Sequence, residues 1–483
     1  MHRFLDLCSG VGCFHMGSEL AGMQCVGFAE IDKKLAARYQ DVYSIPERYS
    51  FNSVSEIIQA ITESPELLRE LQELAVKAGF PCTPWSKSGN QTGKNHEKGM
   101  VFWEILELMT LLNSPFFIFE NVPNLNSDKH KETFTEMLDS LKENYFVDYD
   151  VISTRDINLP TNRKRLFIVG IRKDMSTQDL VNKILKIVSE NKKQSLEEFL
   201  ESDKTGYPLK KSQKEALEFW DPFLDWVIDS NSIERIAKPL WGTEALYSKS
   251  YEIDKLQAAI EKKANNKKIT KKALLACIHL EVPSDRKLSV DDLIEKYLPP
   301  YYRKIALGKR NSSDYKERAK FASKSRKYMN EIEDWVKSNH GEEIWIEWLE
   351  NLKKQKTSFQ KLEWNLDKEK PRRSKAKSAL KRVQNRLKHT LVQFRSSGIR
   401  ISKNTEFPTL VAIGQVAFTG SPLMQPHWTT LAKLQSIHDP EILKSGLFGD
   451  DKEAIKRLGN AANVEIIRII AENIKQSISS FSE

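Results

Sequence analysis

The first 172 residues alternate short apolar runs with helical patterns, and this alternation leaves few folds open. Apolar runs at 4–7, 23–29, 74–80, 115–120, 146–153 and 166–171 are separated by turn residues or by stretches of 3.6-residue periodicity. Strands separated by helices predict a parallel, doubly wound α/β sheet of the Rossmann-like kind. Ligands then bind at the carboxyl ends of the strands. One helix is expected near 15–20, and a second carries Ile31, Leu35 and Tyr39 on one face.

Beyond residue 172 that rhythm stops. Lys/Glu-rich helical patterns run to about residue 424, interrupted by Pro239-Leu240-Trp241, Leu298-Pro299-Pro300 and Lys370-Pro371, with strand-like stretches at 398–401 and 409–413. From about 425 helical patterning returns and ends in an amphipathic helix at 463–474. A chain of 483 residues exceeds one ordinary domain. The shifts in pattern divide it into a domain at 1–172, an inserted, largely helical domain at 173–424, and a closing part of the first domain at 425–483.

Charge marks the insert. Residues 351–400 hold 16 Lys or Arg against 3 Asp or Glu, a local net of +13 in a chain of net +9, so the other 433 residues sum to −4. A basic block on a near-neutral body suits a polyanionic partner; a solvated charged face is the alternative. No apolar run reaches the ~18 residues of a membrane span. The N-terminus enters a strand pattern at once, which argues against a secretory leader. Five cysteines cannot build a disulfide framework, so the expected setting is a reducing cytoplasm, away from membranes.

Four motifs stand at strand ends. Asp6-Leu7-Cys8-Ser9-Gly10-Val11-Gly12 closes the first strand and opens a helix. Gly10 and Gly12 allow a tight turn and a close approach of backbone to ligand. Glu30 lies 20 residues beyond Gly10 at the end of the next strand, where a carboxylate accepts from a ribose hydroxyl. Position 15 is His, so the run is not GxGxxG. It fits an adenosine-type cofactor without a pyrophosphate, with an ordinary Gly-rich turn as the alternative.

Gly79-Phe80-Pro81-Cys82-Thr83-Pro84-Trp85-Ser86 follows an apolar strand. Its two prolines stiffen the loop and hold Cys82 in one direction, as an attacking thiolate requires. A cysteine taken alone is more often a small buried hydrophobe. Cys8, Cys13, Cys25 and Cys277 are read that way, and their spacing gives no reason to expect a metal. Phe117-Ile118-Phe119-Glu120-Asn121-Val122-Pro123 delivers a carboxylate to the same edge, in apolar surroundings that raise its pKa and suit a proton donor. Arg163-Lys164-Arg165 precedes the last strand, and two arginines flanking one extended residue share a face. They could orient a carboxylate or a phosphate. A surface acid and a surface basic pair are the plain alternatives for these two motifs.

Taken together the motifs resemble those of the DNA (cytosine-5)-methyltransferases, of the restriction–modification type. Phe-Leu-Asp-Leu-Cys-Ser-Gly-Val-Gly at 4–12, Gly-Phe-Pro-Cys at 79–82, Glu-Asn-Val at 120–122 and Asn-Arg-Lys-Arg at 162–165 occur in that family's order. Gly459-Asn460-Ala461 resembles its last motif, in a helix that packs back beside the first. Segments 358–365, 393–400 and 407–412 are similar to one subgroup of these enzymes. The chain departs from the common pattern at Cys8, Asn52, Trp85, Thr161 and Thr430.

The resemblance implies an S-adenosyl-L-methionine-dependent methyltransferase sheet carrying an inserted target-recognition domain. Cys82 would attack carbon 6 of a cytosine flipped out of double-stranded DNA. Glu120 would hold or protonate ring nitrogen 3, and Arg165, with Arg163 behind it, would orient the base and Glu120. Gly10 and Gly12 would line the methionine side of the cofactor. Glu30 would bind its ribose, Ile31 would pack on the adenine, and Asn460 would complete the pocket. Arg395, Ser396, Arg400 and Lys403 are the candidates near the bases. A monomer with a companion restriction endonuclease acting on the same site is implied. A tRNA-acting cytosine methyltransferase and a decayed, non-enzymatic DNA-binding regulator are the rival readings.

Overall fold

Each apolar run of the first 172 residues forms a strand in the computed structural model, which describes residues 2–81, 97–189, 192–201, 206–230, 240–242, 245, 255–256, 270–277, 289–298, 312–356, 358–365, 377–420 and 422–482. The strands are β1 Arg3–Leu7, β2 Gln24–Ala29, β3 Ser50–Phe51, β4 Ala75–Ala78, β5 Phe116–Asn121, β6 Tyr145–Ser153 and β7 Lys164–Arg172. β3 was not expected; two residues carry no periodicity to read. The sheet order is β3-β2-β1-β4-β5-β7-β6.

Strands β1 to β5 pair in parallel, as expected, but β7 runs antiparallel to both β5 and β6. Residues 154–163 are too short for the crossover of a dozen or more residues that a parallel return needs. The chain instead turns back on itself, and the sheet is mixed at that end. The central strands β4 and β5 are buried at every position, because helices cover both faces.

The helix Cys13–Leu20 lies against the last helix, Val464–Ser482, whereas Gly459-Asn460-Ala461, expected within the helix that packs back, ends the preceding helix Asp451–Asn460. A Cβ on Gly17 would fall 2.6 Å from the Val464 carbonyl oxygen, so glycine permits this approach. The second helix differs from expectation. It spans Lys33–Tyr43, because Asp32 caps it by accepting from the Lys34 and Leu35 amides. Leu35 and Tyr39 face the core as expected, whereas Ile31 precedes the cap and is 82% exposed.

Contacts divide the chain into two units, 1–205 with 405–416 and 426–483, and 206–404 with 417–425. Residues 173–205 stay with the first unit: Val181 is buried, and Asn473 and Ser477 of the last helix donate to the Ile184 and Leu180 carbonyls. The segment 409–413, expected as a strand, is irregular. It and the residues before it are held individually: the Phe407 amide donates to Pro160 O, and the Thr409 hydroxyl donates to Asn162 O. No continuous ladder forms.

The second unit is largely helical, as expected, with helices Lys211–Asp229, Ser312–His340 and Glu342–Lys354 prominent. It also has a four-stranded sheet ordered Thr390–Arg395, Gly398–Lys403, Lys361–Asn365, Leu240–Trp241. Trp220, Trp345 and Trp348 anchor its core.

Candidate active site

The sheet brings the motif loops to one edge. Leu7 lies beside Ala78, and Ala78 beside Phe119, so β1, β4 and β5 end level with one another. The loops that begin at 8 and 79 and the end of β5 at 120–121 therefore stand side by side. The antiparallel course of β7 completes the set, because it is the start of β7 that reaches this edge: Leu166 pairs with Asn121.

Glu120 is 7% exposed. Its Oε1 lies 2.7 Å from Arg165 Nε, and its Oε2 lies 3.6 Å from where a Cβ on Gly79 would sit. Asn121 Nδ2 donates to Phe80 O at 3.2 Å, which ties the carboxylate strand to the loop leading to Cys82. Cys82 lies outside the described residues, as do Trp85 and most of the loop 86–98. Burial pushes the Glu120 carboxyl above its ordinary range, against the opposing pull of Arg165 and then Arg163. The group therefore holds its proton to a higher pH than a free glutamate.

Arg163 has a different set of contacts. It is 2% exposed, and its guanidinium donates to Leu410 O at 2.8 Å, Gly459 O at 2.9 Å and Ala461 O at 2.7 Å. The two arginines are thus brought to one side but differ in role: both charges act on Glu120, and Arg165 touches it. Asn460 is exposed at the end of the helix Asp451–Asn460. The carbonyls on either side of it are the ones Arg163 holds. A Cβ on Gly459 would meet Val411 and Ala412 backbone at 2.4 Å, so this turn admits only glycine.

The Gly-rich turn forms at the end of β1. Gly10 and Gly12 have φ of +55° and +78°, the left-handed region that glycine tolerates best. A Cβ on Gly10 would face open space, whereas one on Gly12 would strike the Tyr43 ring at 2.8 Å. Gly12 therefore makes room for Tyr43, and Gly10 borders the open side. Glu30 Oε2 accepts from the Gly10 amide at 2.8 Å, and Oε1 accepts from the Asp32 amide at 2.9 Å. An ionised carboxylate has about four acceptor positions, so Glu30 can brace this turn and still receive ligand hydroxyls. Exposed Ile31 stands next to it.

A buried polar group supports the turn from below. Tyr39 donates to Asp6 Oδ2 at 2.9 Å, and Tyr43 donates to Val11 O at 3.0 Å. Burial pushes the Asp6 carboxyl up to about 8. It also pushes the Cys13 thiol up to about 12, so Cys13 is no thiolate near neutral pH. In the sequence Asn121 counted only as part of the motif at 120–122, without a role, and Tyr43 was not singled out. Asn121 could have been found from strand alternation: an amide one step from Glu120 points to the opposite face, into an apolar layer where it needs a partner. Among the described residues, no group of three or more His, Cys, Asp or Glu is placed to hold a metal ion.

The profile of the family described as C-5 cytosine-specific DNA methylase matches residues 2–298. The chain is 30% identical over 217 residues to the type II methyltransferase M.BsuFI of Bacillus subtilis, covering 45% of this chain and 50% of that protein. It is 32% identical over 182 residues to M.HgiCII of Herpetosiphon aurantiacus, covering 37% and 39%. These matches span half or less of each relative's length. The type II methyltransferase M.AluI of Cellulosimicrobium cellulans is 24% identical, with 98% of this chain and 92% of that protein covered.

Proposed function

The chain belongs to the family of C-5 cytosine-specific DNA methylases, and from that premise we propose that it is a sequence-specific DNA cytosine-5 methyltransferase. The observation that carries the reading is the buried Glu120–Arg165 pair, linked through Asn121 to the loop that leads to Cys82.

Cytosine carbon 5 is a poor nucleophile. The Cys82 thiolate adds to carbon 6, forming an S–C bond and making carbon 5 enamine-like. Glu120 holds its proton against ring nitrogen 3, which accepts the electron pair displaced by that attack. Arg165 fixes the carboxyl that does this. S-adenosyl-L-methionine, when bound, supplies the electrophilic methyl group. The proton on carbon 5 then passes to solvent water, and the electron pair of that bond re-forms the 5,6 double bond and expels Cys82 as thiolate. The base must first leave the duplex, because these groups cannot reach it inside the stack.

The open space at Gly10, the bracing of Glu30 and the exposure of Ile31 fit that cofactor. We assign its ribose to Glu30, its adenine to Ile31, and its methionine side to Gly10. Gly12 shapes the turn, and Asn460 closes the pocket. Arg163 holds the turn that carries Asn460 while its charge acts on Glu120 from behind Arg165. We assign target recognition to the insert, expected at 173–424, and phosphate binding to its basic segment. Protection of host DNA beside a cognate endonuclease, in the cytoplasm and as a monomer, is the setting we propose.

The test is bisulfite sequencing of plasmid DNA incubated with the protein and S-adenosyl-L-methionine. The expected result is 5-methylcytosine at one short recurring site. Absence of methylation, or methylation confined to tRNA, would overturn the reading. The arginine assignment has its own test. Arg163→Lys leaves three buried carbonyls with fewer donors, and each unsatisfied group costs about 1–3 kcal/mol. The expected result is a lower melting temperature and a cofactor Kd raised about tenfold or more in calorimetry. An unchanged Kd would remove Arg163 from the cofactor side.

A further inference from the structure

The basic segment does not present all its charge to solvent, and the division is sharpest on the helix Ala379–Arg386. Ser378 caps this helix by accepting from the Lys381 amide. Its two arginines turn inward. Arg382 Nε lies 2.8 Å from Asp221 Oδ2, Arg386 Nε lies 3.1 Å from Asp221 Oδ1, and Arg386 also pairs with Asp225. Asp221 is wholly buried, and a buried carboxylate without its cations is strongly unfavourable. Val383 and Leu387 join the same interior. The helix is therefore bolted down by its arginines, which are engaged with the fold.

The opposite face carries Lys381, Gln384 and Asn385, which at 3.6 residues per turn fall within an arc of about 100°; Lys377 stands just before the cap of this helix and Lys388 just beyond its end. Lys377, Lys381, Asn385 and Lys388 are exposed and Gln384 is half-buried. Ser378, Leu380, Lys381, Gln384, Asn385 and Pro422 line a shallow concavity of about 310 Å³ on this side.

We infer that this face is a DNA-reading surface, with Gln384 and Asn385 addressing base edges in the major groove and Lys377, Lys381 and Lys388 contacting phosphates beside it. This inference rests on the DNA methyltransferase reading above and deepens it. Three considerations select duplex DNA as the occupant. The positive charge complements phosphate. A helix about 10–12 Å across fits a major groove about 12 Å wide. Carboxamides form bidentate pairs with adenine N6 and N7, which lysines cannot do. Base reading by this helix was not expected from the sequence, which assigned the basic 351–400 segment to a polyanion and pointed for base contacts to Arg395, Ser396, Arg400 and Lys403.

The experiment uses the full-length protein and the target site first identified with wild type by bisulfite sequencing. Equilibrium binding to the target duplex and to single-base variants is measured across a salt series. Lys381→Gln and Lys388→Gln are expected to weaken binding to all duplexes alike, each lowering the salt slope by roughly 0.9. Gln384→Ala or Asn385→Ala is expected to leave that slope unchanged and to reduce discrimination at one position by roughly 5- to 150-fold. Unchanged discrimination in both carboxamide variants would overturn base reading by this face. Unchanged slopes in both lysine variants would overturn its place in the interface, as would equal affinity for single-stranded RNA. Failure of wild type to methylate any site would instead refute the parent reading, so the two failures are distinguishable.

Discussion

Replacing Cys82 by serine is expected to abolish methyl transfer while leaving DNA binding measurable. A thiol with an ordinary pKa near 8.5 supplies a useful fraction of thiolate near neutral pH, and the thiolate is the attacking species. A serine hydroxyl supplies almost no anion there and is a weak nucleophile without a base beside it. The side chain contributes a bond to carbon 6 but little interface, so affinity for duplex DNA should persist. Single-turnover assays with radiolabelled cofactor measure the loss. Retained turnover within about tenfold of wild type, a change of only about 1.4 kcal/mol in the barrier, would remove Cys82 from the nucleophile's role.

The second large effect concerns Glu120. Glutamine keeps the shape and can donate a hydrogen bond, but it has no proton to lend. Loss of a positioned acid typically costs about 10²–10⁴-fold, and kcat should fall within that range in Glu120→Gln. The direction of the pKa shift gives a further signature. Burial raises this carboxyl while Arg165 and Arg163 pull it down. The active form is protonated, so the wild-type rate should fall as pH rises through the Glu120 pKa. Removing the cation in Arg165→Met leaves burial less opposed, which raises that pKa. The basic limb of the pH–rate profile should then move to higher pH even as the maximum rate drops. A limb that moves to lower pH would contradict the electrostatic account of the pair.

Much of this site could be read from residues alone because its parts are local. Apolar runs long enough to show a pattern announced six strands, and Glu120 stood out as an acid at the end of one of them. What could not be read depends on partners distant in sequence. The carbonyls that Arg163 holds are 247, 296 and 298 residues away, and no local pattern distinguishes that arginine from Arg165. The 409–413 segment looked like a strand because Leu410, Val411 and Ile413 are apolar. Yet Val411 and Ile413 are exposed, and the segment is held by single hydrogen bonds, from the Arg163 guanidinium to Leu410 O and from the Thr409 hydroxyl to Asn162 O, rather than by a ladder. Ile31 fitted the helical spacing of Leu35 and Tyr39, but Asp32 caps the N-terminus and starts the helix at Lys33, which leaves Ile31 outside it. The unit boundary near 205 depends on how 173–189 packs under the last helix, which composition does not reveal.

The central claim is the covalent bond between Cys82 and carbon 6, and a substrate that cannot complete the reaction tests it most directly. Once the methyl group is on carbon 5, Cys82 is expelled only if the other substituent on that carbon leaves as a cation. A proton does so and fluorine does not. Duplex DNA carrying 5-fluorocytosine at the target, incubated with the protein and S-adenosyl-L-methionine, should give a protein–DNA adduct that survives denaturing electrophoresis. Omitting the cofactor should sharply reduce the adduct, Glu120→Gln should slow it, and Cys82→Ser should not form it. Methylation of ordinary DNA by a protein that is never trapped on the fluorinated duplex would contradict the account.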